Sequence, residues 1–165
     1  MSEYVGRTGA LRVYSYPEAR RPGTPAPEAR NFATAKGGAL GAGNNNVSWV
    51  ADVPAAPVNL TQVPITPILT GVIEISGFVV IAGSAEAEAH IEILISVNGV
   101  QVPATMKSEA IVPIAGMLSI PYIAQVDGLA LSTTVPVTMV LTSDVGAVSL
   151  ESGVMAVQEV PVSTG

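Results

Sequence analysis

The chain contains no cysteine in its 165 residues. Disulfide staples, thiolate zinc sites and cysteine nucleophiles are therefore excluded, and the redox compartment is left open. A single histidine, His90, is present, which removes most metal-binding and general-base schemes. Aromatic residues make up 4% of the chain and charged residues 12%. The longest apolar stretch, residues 110–126, is broken by Pro113, Gly116 and Pro121, and it falls short of the ~18 clean residues that a membrane helix needs. The opening MSEYVGRTG has no apolar segment of the kind that directs Sec-type export. What is abundant is apolar material, at 48% of residues. That is enough for a core and argues against global disorder. The length suits one ordinary domain with an appendage.

Charge divides the chain in two. Residues 1–50 hold Arg7, Arg12, Arg20, Arg21, Arg30 and Lys36 against Glu3, Glu18 and Glu28, a net of +3, whereas the remainder holds Lys107 against ten acids, a net of -9. A basic arm on an acidic body points to separate partners for the two parts, or to the arm of one copy lying on the body of another. Pro17, Pro22, Pro25 and Pro27 stiffen residues 17–30 into an extended strap. The run GGALGAGNNN (37–46) is small and turn-forming, so neither stretch is expected to build a core. Between the start and the strap, ALRVYSY (10–16) alternates as a lone strand would. Tyr4, Tyr14 and Tyr16 lie in this opening segment among arginines, a pairing that interface cores recruit. The candidate partner-binding residues are therefore Tyr4, Arg7, Leu11, Arg12, Val13, Tyr14, Tyr16, Arg20 and Arg21. The expected organisation is an extended, largely irregular arm over 1–50 and a folded body over 51–165.

The body reads as strands. VSWV (47–50) opens it, and Pro54, Pro57, Pro64 and Pro67 keep 51–69 extended as edge or lead-in structure. Over 85–97, Ala85, Ala87, Ala89, Ile91, Ile93, Ile95 and Val97 alternate with Glu86, Glu88, His90 and Glu92, the period-two pattern of a strand buried on one face. Asn98-Gly99 follows, the dipeptide that a type I′ hairpin turn needs. Further strands are expected at 71–81, 100–106, 109–114, 118–124, 135–142, 147–151 and 154–160. Turn signals at Asp127-Gly128, Ser143-Asp144 and Ser152-Gly153, among others, separate them. Seven or eight short strands without a long helix predict an all-β sandwich. With this much Val, Ile and Leu, some apolar residues must face outward. Leu94, Val112, Val140 and Val148 are the candidates, and an exposed apolar patch predicts a subunit interface.

The last sixty residues carry a likeness to a known family. SIPYIAQVDGLAL (119–131) is a strand closed by an Asp-Gly turn, TTVPVTMVLTSD (133–144) a long central strand, and VGAVSLESGVMAVQEV (145–160) a broken final strand. With ISGFVVIAG (75–83) and AHIEILISVNGVQV (89–102) upstream, the pattern resembles the TNF/C1q-like jelly roll found in trimeric heads and in decoration proteins of tailed-phage virions. The resemblance implies a structural protein on the capsid exterior, a cement that binds the major capsid protein through its arm, and a homo-oligomer, with a trimer favoured. The alternative is a receptor- or glycan-binding head of a tail fibre or bacterial surface appendage, its ligand held by loops at Asn98-Gly99, Asp127-Gly128 and Asp144-Gly146.

Chemistry is sparsely marked. Glu86, Glu88, His90 and Glu92 would share one strand face, but a single strand cannot wrap one ion, so this is read as a solvated polar face. No Gly-x-Ser-x-Gly elbow is present, and Lys107-Ser108 would point apart in extended chain. Asp127, Asp144, Glu109 and Glu151 lie in or beside turns, where carboxylates are ordinary. GGALGAG lacks the ending and the preceding strand of a phosphate loop. Six cations spread over the arm with three acids among them make a weak nucleic-acid footprint. The expectation is therefore no enzyme, no cofactor, no metal, no nucleic acid and no membrane partner, leaving a hydrolase centred on His90 as the one catalytic alternative.

Overall fold

A computed structural model describes residues 29–52, 57–102 and 108–161. Among them all regular structure is β, in thirteen strands. One sheet holds, in spatial order, β11 (Met117–Val126), β7 (Ile73–Ala82), β13 (Val148–Glu159), β1 (Arg30–Ala35), β4 (Trp49–Asp52) and β5 (Pro57–Leu60), with β2 (Gly38–Leu40) also paired to β13. The other holds β10 (Ser108–Val112), β8 (Ala89–Val97), β12 (Val135–Ser143) and β3 (Gly43–Asn46), with β6 (Val63–Ile65) on β12 and β9 (Val100–Gln101) on β8. Every pairing is antiparallel. Taking β1, β3, β7, β8, β10, β11, β12 and β13 as first to eighth, the sheets run first-eighth-third-sixth and second-seventh-fourth-fifth. That interlocked order makes the chain a jelly-roll-like β-sandwich.

The alternation that marked the strands also builds the core. Ala89, Ile91, Ile93, Ile95 and Val97 of β8 face Ile73, Ile75, Val79 and Ile81 of β7 across the sandwich, all buried. Each large aliphatic side chain so placed stabilises the fold by about 2 kcal/mol. Between β8 and β9, Asn98 and Gly99 take φ of 52° and 80°, the conformation the dipeptide was expected to supply. Pro57 begins the edge strand β5, where a missing N–H costs no ladder bond.

Three expectations need correction, and a fourth is described only in part. Strand β8 starts at Ala89, not at residue 85, because the Ser84 hydroxyl accepts the Glu86 N–H (3.1 Å) and bends the chain there. The two strands expected at 147–151 and 154–160 are one twelve-residue strand, β13, with a bulge between Leu150 and Ser152 instead of a turn at Ser152-Gly153. The strand expected at 100–106 is described only as Val100–Gln101, and 103–107 lie outside the described residues. Most consequentially, residues 30–52 are not arm. They form β1 to β4, and Ala33, Leu40, Val47, Trp49 and Ala51 are buried in the core. Their small residues hid the pattern. Strand β1 earns its place by closing the open edge of β13, from Arg30↔Gln158 to Thr34↔Val154. Asn45 holds the 37–46 run in shape, its amide donating to the carbonyls of Gly41 and Gly43 at 3.0 Å each.

Two polar devices set the geometry. At the end of β13 the carboxylate of Glu159, fully buried, accepts backbone N–H groups from Ile68 (3.0 Å), Leu69 (2.8 Å), Thr70 (2.8 Å), Gly71 (3.2 Å) and Ala29 (3.3 Å). It thereby ties the loop before β7 and the entry to β1 onto β13. Across the seven-stranded sheet, the buried Tyr122 hydroxyl donates to the Val154 carbonyl (2.6 Å), passing over Gly77. Burial pushes the Tyr122 phenol upward from its ordinary pKa, so it stays a donor. Gly77 has φ of 153°, and a Cβ there would overlap the Val154 carbonyl oxygen and stand 2.8 Å from the Tyr122 hydroxyl.

Burial alone would raise the Glu159 pKa, but the N–H donors of Ile68, Leu69, Thr70 and Gly71 outweigh it and hold the group down at about 2, from an ordinary 4.5. A depressed carboxyl stabilises the fold above its unfolded pKa and loses that stabilisation as pH falls through the folded value. Urea titrations should therefore show stability falling between about pH 4.5 and pH 2, and Glu159→Gln should cost about 2 kcal/mol or more at pH 7 and flatten that slope. Gly77→Ala should cost about 3 kcal/mol or more, read in the same assay. Tyr122→Phe should cost about 1 kcal/mol.

Candidate functional site

The register of the seven-stranded sheet settles which side chains face away from the core. One cross-strand row is Pro121, Phe78, Val154, Thr34 and Val50, from β11 to β4. The next is Ile123, Ser76, Ala156 and Phe32. The third, at the end where β7 begins, is Gln125, Glu74, Gln158 and Arg30. On this outer face Met117 is 63% exposed, Phe32 and Ile123 58% each, and Phe78 38%. Their inward neighbours Ile75, Val79, Ile120 and Val157 are buried, so strict alternation puts apolar side chains on both sides of one sheet. A shallow groove of about 540 Å³ opens on it, lined in part by Arg30, Phe32, Thr34, Val50, Ala156 and Gln158.

The outer face of the six-stranded sheet differs. Glu109, Glu92, Thr142 and Asn44 form one row, and Ile111 and His90 the next. A smaller groove of about 410 Å³ is lined there by His90, Glu92, Glu109, Ile111, Thr142 and Asp144, among others. Of the residues expected to face outward, Leu94 and Val140 do so on this sheet, half-buried opposite one another. Val112 and Val148 correct the expectation: both are buried, because Val112 pairs with Ala89 on the inward parity and Val148 follows the bulge-shifted register of β13. On the seven-stranded sheet the exposed apolar side chains are instead Phe32, Phe78, Met117 and Ile123. Phe78 was legible as an aromatic in the body, but its outward parity was not.

The constellations weighed for chemistry fall apart in space. Glu86 and Glu88 sit in the loop before β8, so only His90 and Glu92 share a strand. Asp144 serves the main chain, its carboxylate accepting the His90 backbone N–H (2.8 Å). Among the described residues no three metal-ligating side chains gather. Asp127 follows β11 at the end of the sandwich where β7 begins, while Asp144 follows β12 at the opposite end. Lys107 lies outside the described residues, and Ser108 opens β10 opposite Ile93. Tyr4, Arg7, Leu11, Arg12, Val13, Tyr14, Tyr16, Arg20 and Arg21, the expected partner-binding set, also lie outside the described residues.

The loops offered for a glycan site divide in the same way. Asn98 is anchored to the Pro136 carbonyl (2.9 Å) at the start of β12, near one end, and the Asp144-Gly146 loop is at the other. No protein-family model matches the chain, and no curated protein matches it in sequence. If Asp144 supports the backbone and not the imidazole, Asp144→Ala should cost about 1 kcal/mol in thermal or denaturant unfolding. His90→Ala should stay within about 0.5 kcal/mol.

Proposed function

We propose that this chain is a structural assembly protein that binds without doing chemistry: a jelly-roll-like head that decorates and cements a larger protein shell, of the kind a tailed-phage capsid presents. What supports this reading is one observation, the pairing of a jelly-roll strand order with two unlike outer sheet faces, one largely apolar and one mixing Glu92, Glu109 and Thr142 with Ile111. A free-standing head has no use for that asymmetry, and an assembled one does. The family resemblance of residues 70–162 supplies the virion setting.

In this reading the partner of residues 1–28 is the major capsid protein. The described chain enters the sandwich at Ala29, held by Glu159. The segment 1–28 carries Arg7, Arg12, Arg20 and Arg21 and the tyrosines Tyr4, Tyr14 and Tyr16, a composition suited to an acidic protein surface. Its prolines lower the entropy lost on docking. Several heads on one shell multiply weak contacts by effective concentration. The segment ends before β1, which belongs to the sandwich.

Replacing Arg7, Arg12, Arg20 and Arg21 together with glutamate in the full chain should lower co-sedimentation with capsid shells by about tenfold or more while leaving the melting temperature unchanged. Binding at the wild-type level would overturn the arm-docking reading.

A further inference from the structure

We infer that the outer face of the seven-stranded sheet, centred on Phe32, Phe78 and Ile123, is the surface through which copies of this chain associate with one another. This inference concerns the head alone and holds whatever residues 1–28 bind.

The apolar character of the face says that something covers it, and the distribution of charge says what. Both cations among the described residues border this face: Arg30 at one end of β1 and Lys36 just past the other. Each has an acid at its own end of the sheet, Glu74 in the row of Arg30 and Glu151 at the bulge of β13. Among the described side chains, none in the centre between them is charged. Among the described side chains these rows thus carry charges of both signs and the face has no net charge, so a second copy laid on it meets no net like charge.

Elsewhere on the described surface the ionised side chains are acids: Glu86, Glu88, Glu92, Glu109, Asp127 and Asp144. Two copies meeting by any of those surfaces set like charge against like, which costs free energy at contact distance. The apolar face without net charge is where an acidic body can meet its own kind. A strongly basic or acidic partner would leave the apolar centre without a counterpart and gain little from rims that cancel.

The face is also better suited than the edge beside it. Strand β11 is outermost, and Pro121 near its middle supplies no N–H. Proline on an edge strand directs its missing donor outward, so an added strand could not complete a ladder there. Association is therefore face to face by side-chain burial, with Phe78 near the centre as the anchor.

The test is sedimentation velocity of the full chain over a concentration series, with circular dichroism and thermal melting as folding controls. Wild type should self-associate. Phe78→Asp with Ile123→Asp should raise the apparent dissociation constant by about a hundredfold or more, and Ile111→Asp, on the other sheet's outer face, should leave it unchanged. Ile123→Lys alone, at a more exposed position, makes the same test with less risk to folding and should weaken association about tenfold. The inference is overturned if wild type stays monomeric throughout, if the folded face variants associate like wild type, or if Leu11→Asp with Tyr14→Asp dissociates the copies, since the N-terminal segment would then be the occupant. Failure of the wild-type chain to co-sediment with capsid shells, with self-association intact, would count against the cement role only.

Discussion

Strand β13 has two edges, and both must be paired. Twelve residues from Val148 to Glu159 run through the middle of the seven-stranded sheet, and buried backbone N–H and C=O groups left without partners would cost more than the core returns. Strand β7 satisfies one edge. The other is satisfied by β1 and β2, which draws residues 30–40 out of any arm and into the sandwich. The same strand ends in the Glu159 carboxylate, whose ring of backbone donors fixes both the entry to β1 and the loop into β7. It also passes above Gly77, where Tyr122 reaches the Val154 carbonyl. Most of what positions the outer face therefore runs through one strand.

That dependence explains why the apolar outer face is continuous. The bulge between Leu150 and Ser152 shifts parity once and then lets β13 stay in register with β7 down to Glu159↔Ile73. Val154 and Ala156 consequently line up with Phe78 and Ser76 on one side and with Thr34 and Phe32 on the other. Five strands, from β1 to β13, contribute to one surface. The six-stranded sheet, paired by the same rules, mixes carboxylates and hydroxyls with Ile111, Leu94 and Val140 on its outer face. A sandwich with one largely apolar and one mixed exterior is suited to being one layer of something larger.

The core strands were legible because their inward positions are large and β-branched. Ile91, Ile93 and Ile95, or Val135 and Val137, announce a period of two without help, and Asn98-Gly99 announces its own turn. The first strands were not legible, since β1 places alanines inward, β2 is only Gly-Ala-Leu and β3 is glycine and asparagine. Nothing in such residues distinguishes a strand from a linker until a partner edge is present. Ser152-Gly153 misled for a related reason: a glycine that signals a turn in isolation here admits the Phe78 carbonyl, which a Cβ would meet at 2.9 Å.

Composition and periodicity by themselves determined that this chain is all-β, that it forms two layers, that it has apolar residues to spare, and that its charge is unevenly divided. Those are properties of local pattern and of sums over residues. Tertiary structure alone decided which surplus side chains point outward. Parity on a strand is fixed by register against its neighbours, and one bulge or one misplaced strand start reverses it. Val112 and Val148 went inward and Phe32, Phe78 and Ile123 outward on that basis, because each strand obeys the hydrogen-bond ladder beside it before the hydropathy of its own sequence.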